Sequence, residues 1–205
     1  NLLSNENEFS QETRMQIYGD IYDDSMWLIK LVENLLSVTR IEDGRMDLRM
    51  SAELMDEVIA EAMRHTDRNR DGRKIEVSSD EEFILGKMDA RLIVQVVINL
   101  VDNAVKYTPE GAKIRIHTGK KDGMVVVSVS DTGPGIPDEQ KSKVFDMFYT
   151  GTNRAADGRR SLGLGLGLCR SIIRAHGGEI WVSDNKPQGA VFTFTLPAEE
   201  VTLHE

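Results

Sequence analysis

A pair of asparagines followed by a lysine is the first group of residues in this chain that is suited to bind a ligand. Asn99 and Asn103 are four residues apart and Lys106 follows three residues later, so a helix would place them side by side, opposite Ile93 and Leu100. Mg²⁺ accepts carboxamide oxygens as ligands, and a lysine ammonium group binds phosphate oxygens. A solvated helix face is the alternative, but Asn is a poor helix former, so Glu or Lys would be expected there. We therefore expect Asn99 and Asn103 to bind Mg²⁺ and Lys106 to bind phosphate.

A carboxylate at the end of a strand-like stretch is suited to bind a base. Asp131 follows the alternating residues 124–129 and precedes Gly133, Gly135 and Ile136. Such a carboxylate can accept a hydrogen bond from the 6-amino group of adenine, whereas the carbonyl of guanine would repel it at a cost of about 1–3 kcal/mol. The glycines would let the backbone pass beneath the base without a Cβ in the way. An ordinary Asp-Gly turn is the alternative, and this segment alone does not decide between the two.

A third segment alternates glycine with leucine where a helix is predicted to begin. Its residues are Gly163, Leu164, Gly165, Leu166, Gly167 and Leu168. Glycines there expose backbone N–H groups at a helix N-terminus, where phosphate binds, and the leucines are expected to face the core. No dinucleotide-type strand–helix–strand unit surrounds the segment and no Gly-Lys-Ser/Thr occurs, which excludes a Rossmann fingerprint and a Walker A motif. Together the three segments predict one pocket for adenine, triphosphate and Mg²⁺.

A long helix is predicted before these segments, from about Phe9 to Glu42. Ser10 is suited to cap its first turn and Gly44 to end it. Apolar residues recur at helical spacing, at Ile17, Ile21, Leu28, Leu31, Leu35 and Val38. One interpretation is that the helix docks on its own domain. We favour one half of a helical hairpin or bundle, which a dimer would also provide.

The rest of the chain predicts an α/β (α+β) two-layer sandwich of about five strands and three or four helices. Helices are expected at 51–65, 89–107, 138–148 and up to His176, and strands at 74–78, 83–85, 113–117, 124–129, 179–183 and 190–196. The polar segment 149–161 has no apolar anchor and is expected to form a mobile loop.

Composition excludes several classes of protein. The chain of 205 residues has a formal net charge of −9 and a pI near 5.0, which argues against a nucleic-acid partner, since phosphate contacts need a clustered basic surface. The single cysteine, Cys169, excludes an internal disulfide, fits a reducing compartment and is expected to be buried. No stretch approaches the ~18 apolar residues of a membrane span. The first residue is Asn1 rather than methionine, so we interpret the sequence as a fragment of a longer protein.

In their order along the chain, the three segments resemble the catalytic, ATP-binding domain of bacterial sensor histidine kinases, which belong to the GHKL ATPase superfamily. Residues 89–107 match the N box of that family, 131–136 its G1 box, 145–148 its F box and 163–168 its G2 box. The last segment, 185–197, together with 175–178, is similar to the potassium-responsive KdpD branch.

The resemblance implies a Bergerat ATP-binding fold with ATP and Mg²⁺ as cofactors. Residues 1–46 would be the second helix of the dimerisation and phosphotransfer hairpin, 47–200 the catalytic domain, 201–205 a tail, and 149–162 a lid over ATP. Catalytic roles would fall to Asn99 and Lys106, and metal binding to Asn103 and Asn99. The nucleotide would contact Asn99, Asn103, Lys106, Tyr107, Asp131, Gly133, Gly135, Ile136, Gly163, Leu164, Gly165, Leu166, Gly167 and Leu168.

The implied reaction moves the γ-phosphate of ATP to a histidine and then to an aspartate in the receiver domain of a response regulator. The full-length protein would be a homodimeric sensor kinase anchored in the membrane, and this fragment would be part of its cytoplasmic portion. The family's acceptor histidine lies in a His-Glu/Asp-Leu-Arg-Thr-Pro motif, and none of the four histidines here has that context. We expect His176 to cap a helix instead. The fragment should therefore bind ATP but lack its own phosphate acceptor.

Two other functions stay open on the sequence. The first is an ATP-hydrolysing conformational clamp, as in chaperone and gyrase relatives, which place a glutamate one turn before the metal-binding asparagine. Asn99 occupies that position here, and a carboxamide is a poor base for water, so transfer to a protein nucleophile is favoured. The second is a degenerate nucleotide-binding scaffold, against which the intact Asn103, Lys106 and Asp131 argue.

Overall fold

The computed structural model describes residues 10–42, 47–66, 73–150 and 163–199. Their helices are α1 (Gln11–Glu42), α2 (Met55–Thr66), α3 (Ala90–Tyr107), α4 (Asp138–Lys141) and α5 (Gly165–Ala175). Their strands are β1 (Ser51–Leu54), β2 (Lys74–Ser79), β3 (Leu85–Met88), β4 (Lys113–Lys121), β5 (Met124–Asp131), β6 (Ile180–Asp184) and β7 (Ala190–Pro197). Five strands form a sheet in the order β2-β4-β5-β7-β6, and β1 pairs with β3 separately.

One face of the larger sheet packs against α3 and α5, and α2 packs on α3. Burial alternates along β5, which turns Val125, Val127 and Val129 into the same apolar cluster as Leu100 of α3 and Ile172 of α5. This alternation follows from the two-residue period of a strand, which gives each strand one buried face. The predicted two-layer α/β sandwich is therefore confirmed.

The long helix α1 begins as predicted and docks on the domain near its C-terminal end. Ser10 Oγ accepts a hydrogen bond from the Thr13 N–H at 3.2 Å, which caps the first turn. Near the other end, α1 contacts α5, and the buried Asn34 accepts a hydrogen bond from Gln95 Nε2 of α3 at 3.3 Å. Docking on the helix's own domain is thus observed at one end. The predicted hairpin or bundle stays a prediction.

Much of the apolar surface of α1 is exposed. The exposed side chains are Met15, Tyr18, Ile21, Tyr22, Met26, Leu28, Ile29, Val32, Leu35 and Leu36. At about 100° per residue these positions span roughly half of the helix circumference. They include Ile21, Leu28 and Leu35 of the predicted stripe, whereas the side chain of Val38 and the predicted end at Gly44 lie outside the described residues.

The structure corrects three predicted boundaries. Ser51 does not cap a helix but starts β1, because it pairs with Met88 of β3 and the next helix begins only at Met55. Phe83 is 71% exposed and precedes β3 rather than belonging to it. The helix expected at 138–148 ends at Lys141, and the chain continues from there as turns. In the first two cases a long-range strand pairing, which local sequence does not encode, decides the boundary.

A candidate nucleotide-binding cleft

A cleft with about 940 Å³ of open space lies between α3, the end of β5, the turn that follows it and the start of α5. Its lining includes eight of the predicted site residues, namely Asn103, Tyr107, Asp131, Gly135, Ile136, Gly163, Gly165 and Leu166. The other six, which are Asn99, Lys106, Gly133, Leu164, Gly167 and Leu168, lie beside or beneath it. The fold thus gathers three segments that are far apart in the chain around one opening.

Asp131 is the last residue of β5, and its buried carboxylate borders the cleft. Its Oδ1 accepts hydrogen bonds from the backbone N–H groups of Gly133 at 2.8 Å and Ala190 at 3.3 Å. No residue in the described part of the chain donates to Oδ2, so this oxygen can accept a hydrogen bond from a ligand. Burial raises the pKa of Asp131 above its ordinary value, and the two N–H donors reduce that rise. The site therefore offers a poorly hydrated acceptor at the bottom of an apolar-walled cleft.

The two asparagines of α3 differ in their surroundings. Asn103 lines the cleft. Asn99 is only 8% exposed and lies beneath the start of α5, where a Cβ built on Gly165 would be 3.6 Å from its Oδ1. Its Nδ2 is buried and has no hydrogen-bond partner among the described residues. The sequence predicts Asn99 on the polar face of its helix, but the packing of α5 over α3 buries that part of the face.

Lys106 and Tyr107 follow on the last turn of α3. The Lys106 Nζ lies 5.4 Å from the centroid of the Tyr107 ring, which is a cation–π distance. Tyr107 lines the cleft, whereas Lys106 is half-buried at its edge. The ammonium group is therefore near the cleft without forming its wall.

The glycine-leucine segment forms the first turn of α5. Leu164 and Leu168 are buried, as expected, but Leu166 is half-buried and lines the cleft. The first backbone bond of this helix runs from the Leu168 N–H to the Leu164 carbonyl. The preceding N–H groups have no partner within the helix, and two of them belong to Gly165 and Leu166, which line the cleft.

Gly163 joins the two ends of the predicted lid. Its φ is +66°, and a Cβ there would overlap the backbone of Tyr149. Its carbonyl accepts a hydrogen bond from the Phe148 N–H at 3.1 Å. The segment 151–162 between these ends lies outside the described residues, so its predicted mobility and lid role stay predictions.

The sequence profile of the family described as histidine kinase-, DNA gyrase B- and HSP90-like ATPases matches residues 88–200, which include every element that borders the cleft. The chain belongs to this family. The sensor protein KdpD of Clostridium acetobutylicum is 39% identical over 198 residues, covering 97% of this chain. The chain spans 22% of the length of that relative. The resemblance predicted from the sequence is confirmed, and this domain is the ATPase domain of a sensor histidine kinase.

Solved structures give the same result for the fold. The catalytic domain of histidine kinase ThkA matches this kinase domain with a TM-score of 0.63 and 34% identity, over 74% of this chain and 97% of that one. A second structure, histidine kinase ThkA in complex with the response regulator protein TrrA, matches with a TM-score of 0.72 and 28% identity, over 97% of this chain and 55% of that one. The predicted Bergerat-type fold is therefore confirmed.

Several residues that line the cleft of the kinase domain were not predicted as site residues. They are Pro134, Pro137, Gln140, Val144, Tyr149, Ala190 and Phe192. Ala190 and Phe192 belong to β7, which pairs with β5 and so lies beside Asp131. Because side chains alternate along a strand, the sequence indicates that Ala190 and Phe192 share a face. Which strand pairs with β7 cannot be predicted from the sequence.

Two kinds of feature are absent from the described residues. They contain no group of three or more His, Cys, Asp or Glu side chains that could hold a metal ion. No helix in the described ranges is long and apolar enough to cross a membrane.

Proposed function

We propose that this chain is the ATP-binding catalytic part of a sensor histidine kinase that phosphorylates a histidine outside this sequence. The phosphoryl group then passes to an aspartate in the receiver domain of a response regulator. In this proposal residues 1–46 belong to the second helix of a dimerisation hairpin, 47–200 form the catalytic domain and 201–205 are a tail. The whole protein is a homodimeric, membrane-anchored sensor kinase with this part in the cytoplasm.

The adenine base binds at Asp131, with its 6-amino group donating to Oδ2. Ile136, Tyr107 and Leu166 contact the base and sugar from the apolar walls of the cleft. The backbone N–H groups of Gly165 and Gly167 meet the phosphates at the start of α5. This orientation is supported by the position of Asp131 and of that helix start on the walls of the same cleft.

Asn103 and Asn99 would hold Mg²⁺ with the triphosphate, and Lys106 would neutralise phosphate charge. The place of Asn99 beside the phosphates is supported by its contact with Gly165 at the start of α5, a residue that lines the cleft. When bound, Mg²⁺ supplies positive charge that neutralises the transferring phosphate. Asn99 and Lys106 then orient and stabilise the phosphoryl group during transfer.

The observation that favours transfer over hydrolysis is the lack of a base for water in the described lining of the cleft. Asp131 is the single carboxylate among the lining residues in the described ranges, and its Oδ1 is already bonded to two N–H groups. Asn99 and Asn103 cannot deprotonate water. An ATP-hydrolysing clamp, the alternative, needs such a base.

The partners are supported by two further observations. The related ThkA forms a complex with the response regulator TrrA. The exposed apolar face of α1 covers roughly half of that helix, which is the pattern of a helix that packs against two neighbours in a bundle.

The test compares this chain with a longer one that includes the preceding segment and its histidine, each incubated with γ-labelled ATP. We expect this chain to bind Mg-ATP, release phosphate very slowly and take up no stable label. The longer chain should form an acid-labile phosphohistidine and pass the label to a receiver domain. Rapid phosphate release by this chain would favour the clamp, and label on one of its own histidines would contradict the missing acceptor.

A further inference from the structure

The loop between β6 and β7, residues 185–189, touches the strand end that carries Asp131. Asn185 Nδ2 donates a hydrogen bond to the backbone carbonyl of Asp131 at 2.7 Å. The ladder between β5 and β7 has its last pair one residue earlier, at Ser130 and Val191. The Asn185 amide therefore holds a carbonyl that lies beyond the last β5–β7 pair.

The Asn185 side chain has a fixed orientation. Its Oδ1 accepts a hydrogen bond from the Lys186 N–H at 2.9 Å. The backbone N–H of Asn185 donates to the Gly189 carbonyl at 3.0 Å. An amide oxygen accepts and an amide nitrogen donates, so the bonds at both ends determine which end faces Asp131. The side chain is half-buried, which limits competition from water.

The far end of the same loop contacts Asp131 a second time. Gly189 has a φ of +125°, and a Cβ there would overlap the Asp131 carbonyl and lie 3.0 Å from the Thr132 Cα. The following residue, Ala190, donates its N–H to the Asp131 carboxylate. The loop thus contacts both the carbonyl and the carboxylate of one residue.

Side chains do not fill the space between this loop and the turn after Asp131. A second open space of about 710 Å³ lies there, bordered by Pro134, Pro137, Asp184, Pro187 and Gln188 among others. The loop is therefore joined to Asp131 by the Asn185 hydrogen bond and by close backbone contact at Gly189. Without the Asn185 bond, the end of β5 loses one of the groups that fix its position.

We propose that Asn185 is a positioning residue for base recognition, whose hydrogen bond holds the end of β5 so that the Asp131 carboxylate faces adenine. This inference rests on the proposed function, because it assumes that adenine binds at Asp131. Asn185 is not among the residues that line the nucleotide cleft, so its effect passes through Asp131. Loss of its bond should weaken every adenine nucleotide by the same factor, whatever the number of phosphates.

The test measures dissociation constants for Mg-ATP, for ADP without Mg²⁺ and for GTP, together with the thermal unfolding midpoint. Asn185→Ala removes the donor without adding charge, Asn185→Asp replaces it with an acceptor of the same size, and Gln188→Ala is the matched control in the same loop. Loss of one hydrogen bond predicts that ATP and ADP bind about 3- to 10-fold more weakly. GTP affinity should not change, so the ATP/GTP preference falls by the same factor. Gln188→Ala should behave as the parent.

The outcomes separate this inference from the proposed function. A lower unfolding midpoint with an unchanged ATP/GTP preference would mean a purely structural role and overturn the inference. A preference that Asp131→Asn abolishes but the Asn185 variants keep would also overturn it, and would leave the proposed function intact. Equal affinity of the parent for ATP and GTP would contradict adenine binding at Asp131 itself. Asn103→Ala, which should weaken Mg-ATP more than ADP, shows the contrasting pattern of a phosphate-side change.

Discussion

At the scale of single residues, Asp131 combines a stability cost with a proposed role in binding. Its carboxylate is buried, and burial raises its pKa despite the Gly133 and Ala190 donors. A raised pKa in the folded chain means that the folded state takes up a proton at a higher pH than the unfolded state does. The charged carboxylate therefore destabilises the fold at neutral pH, and this cost disappears as the pH falls through its folded pKa.

Asp131→Asn should separate the two effects. The amide keeps an oxygen for the two N–H donors but carries no charge, so the unfolding midpoint should stay equal to that of the parent or rise. Loss of a charged acceptor is worth about 1.5–3 kcal/mol, which predicts ATP binding weakened by roughly 10- to 100-fold and a smaller preference over GTP. Calorimetric titration and thermal unfolding on the same samples measure both. A lower midpoint together with an unchanged ATP affinity would contradict the assignment.

The residues of the cleft differ in how far the sequence could locate them. Asn103 and Asp131 could be located because helical spacing and a strand end are local properties of the sequence. The burial of Asn99 could not be predicted, since it depends on α5 packing over α3. Phe192 was missed for a similar reason, because its position beside the cleft depends on which strand pairs with β7.

At the scale of elements, one buried histidine joins the ends of α3 and α5. His176 is the C-cap of α5, and its Nδ1 lies 2.8 Å from the Ile172 carbonyl, so this nitrogen carries the proton. Its Nε2 accepts a hydrogen bond from the backbone N–H of Asp89, the N-cap of α3, at 3.0 Å. The predicted capping role is confirmed, whereas the bond to Asp89 spans 87 residues and has no local signal in the sequence.

The surrounding charges determine the direction of the pH effect. Burial lowers the pKa of His176, although the Ile172 carbonyl and the Asp89 charge oppose that change. Burial alone would raise the pKa of Asp89, but hydrogen bonds from Arg91 and the Arg49 N–H and the Arg91 charge hold it below its ordinary value. Protonation of His176 at Nε2 would place an N–H opposite the Asp89 N–H and break the hydrogen bond between the two residues.

The contribution of His176 to the stability of the domain should therefore fall as the pH drops below about 6.5, the ordinary pKa of histidine, whereas that of Asp131 has the opposite sign. Below that value the unfolded chain takes up a proton that the folded chain, with its lowered His176 pKa, does not. Asp89 contributes only at lower pH, near the ordinary carboxylate range. His176→Gln can still accept from Asp89 but does not titrate, so its free energy of unfolding should change less between pH 7.5 and 5.5. Urea unfolding at each pH measures this free energy. An equal change with pH in the parent and in His176→Gln would exclude His176 as the cause.

At the scale of the whole molecule, no residue of the long helix α1 is among the described residues that line the cleft. The described residues that line the cleft lie between Asn103 and Phe192, whereas α1 contacts the domain mainly through α5 and leaves a broad apolar face exposed. An exposed apolar face of this extent is typical of an interaction surface. The whole molecule is therefore expected to have one part that binds nucleotide and one part that associates.

This division predicts that a charge on the exposed face of α1 should reduce self-association without changing nucleotide binding. Ile29 is 50% exposed within that face, and Ile29→Glu would place a charge where a second apolar helix is expected to pack, at a cost of several kcal/mol if it remained buried. Light scattering over a concentration series should show a shift from dimer toward monomer, while ATP titration gives the parent affinity. Gln16→Glu adds the same charge on the opposite side of α1 and should leave the dimer intact. A monomeric parent would contradict the role of α1 in association, and loss of ATP binding in Ile29→Glu would contradict the separation of the two parts.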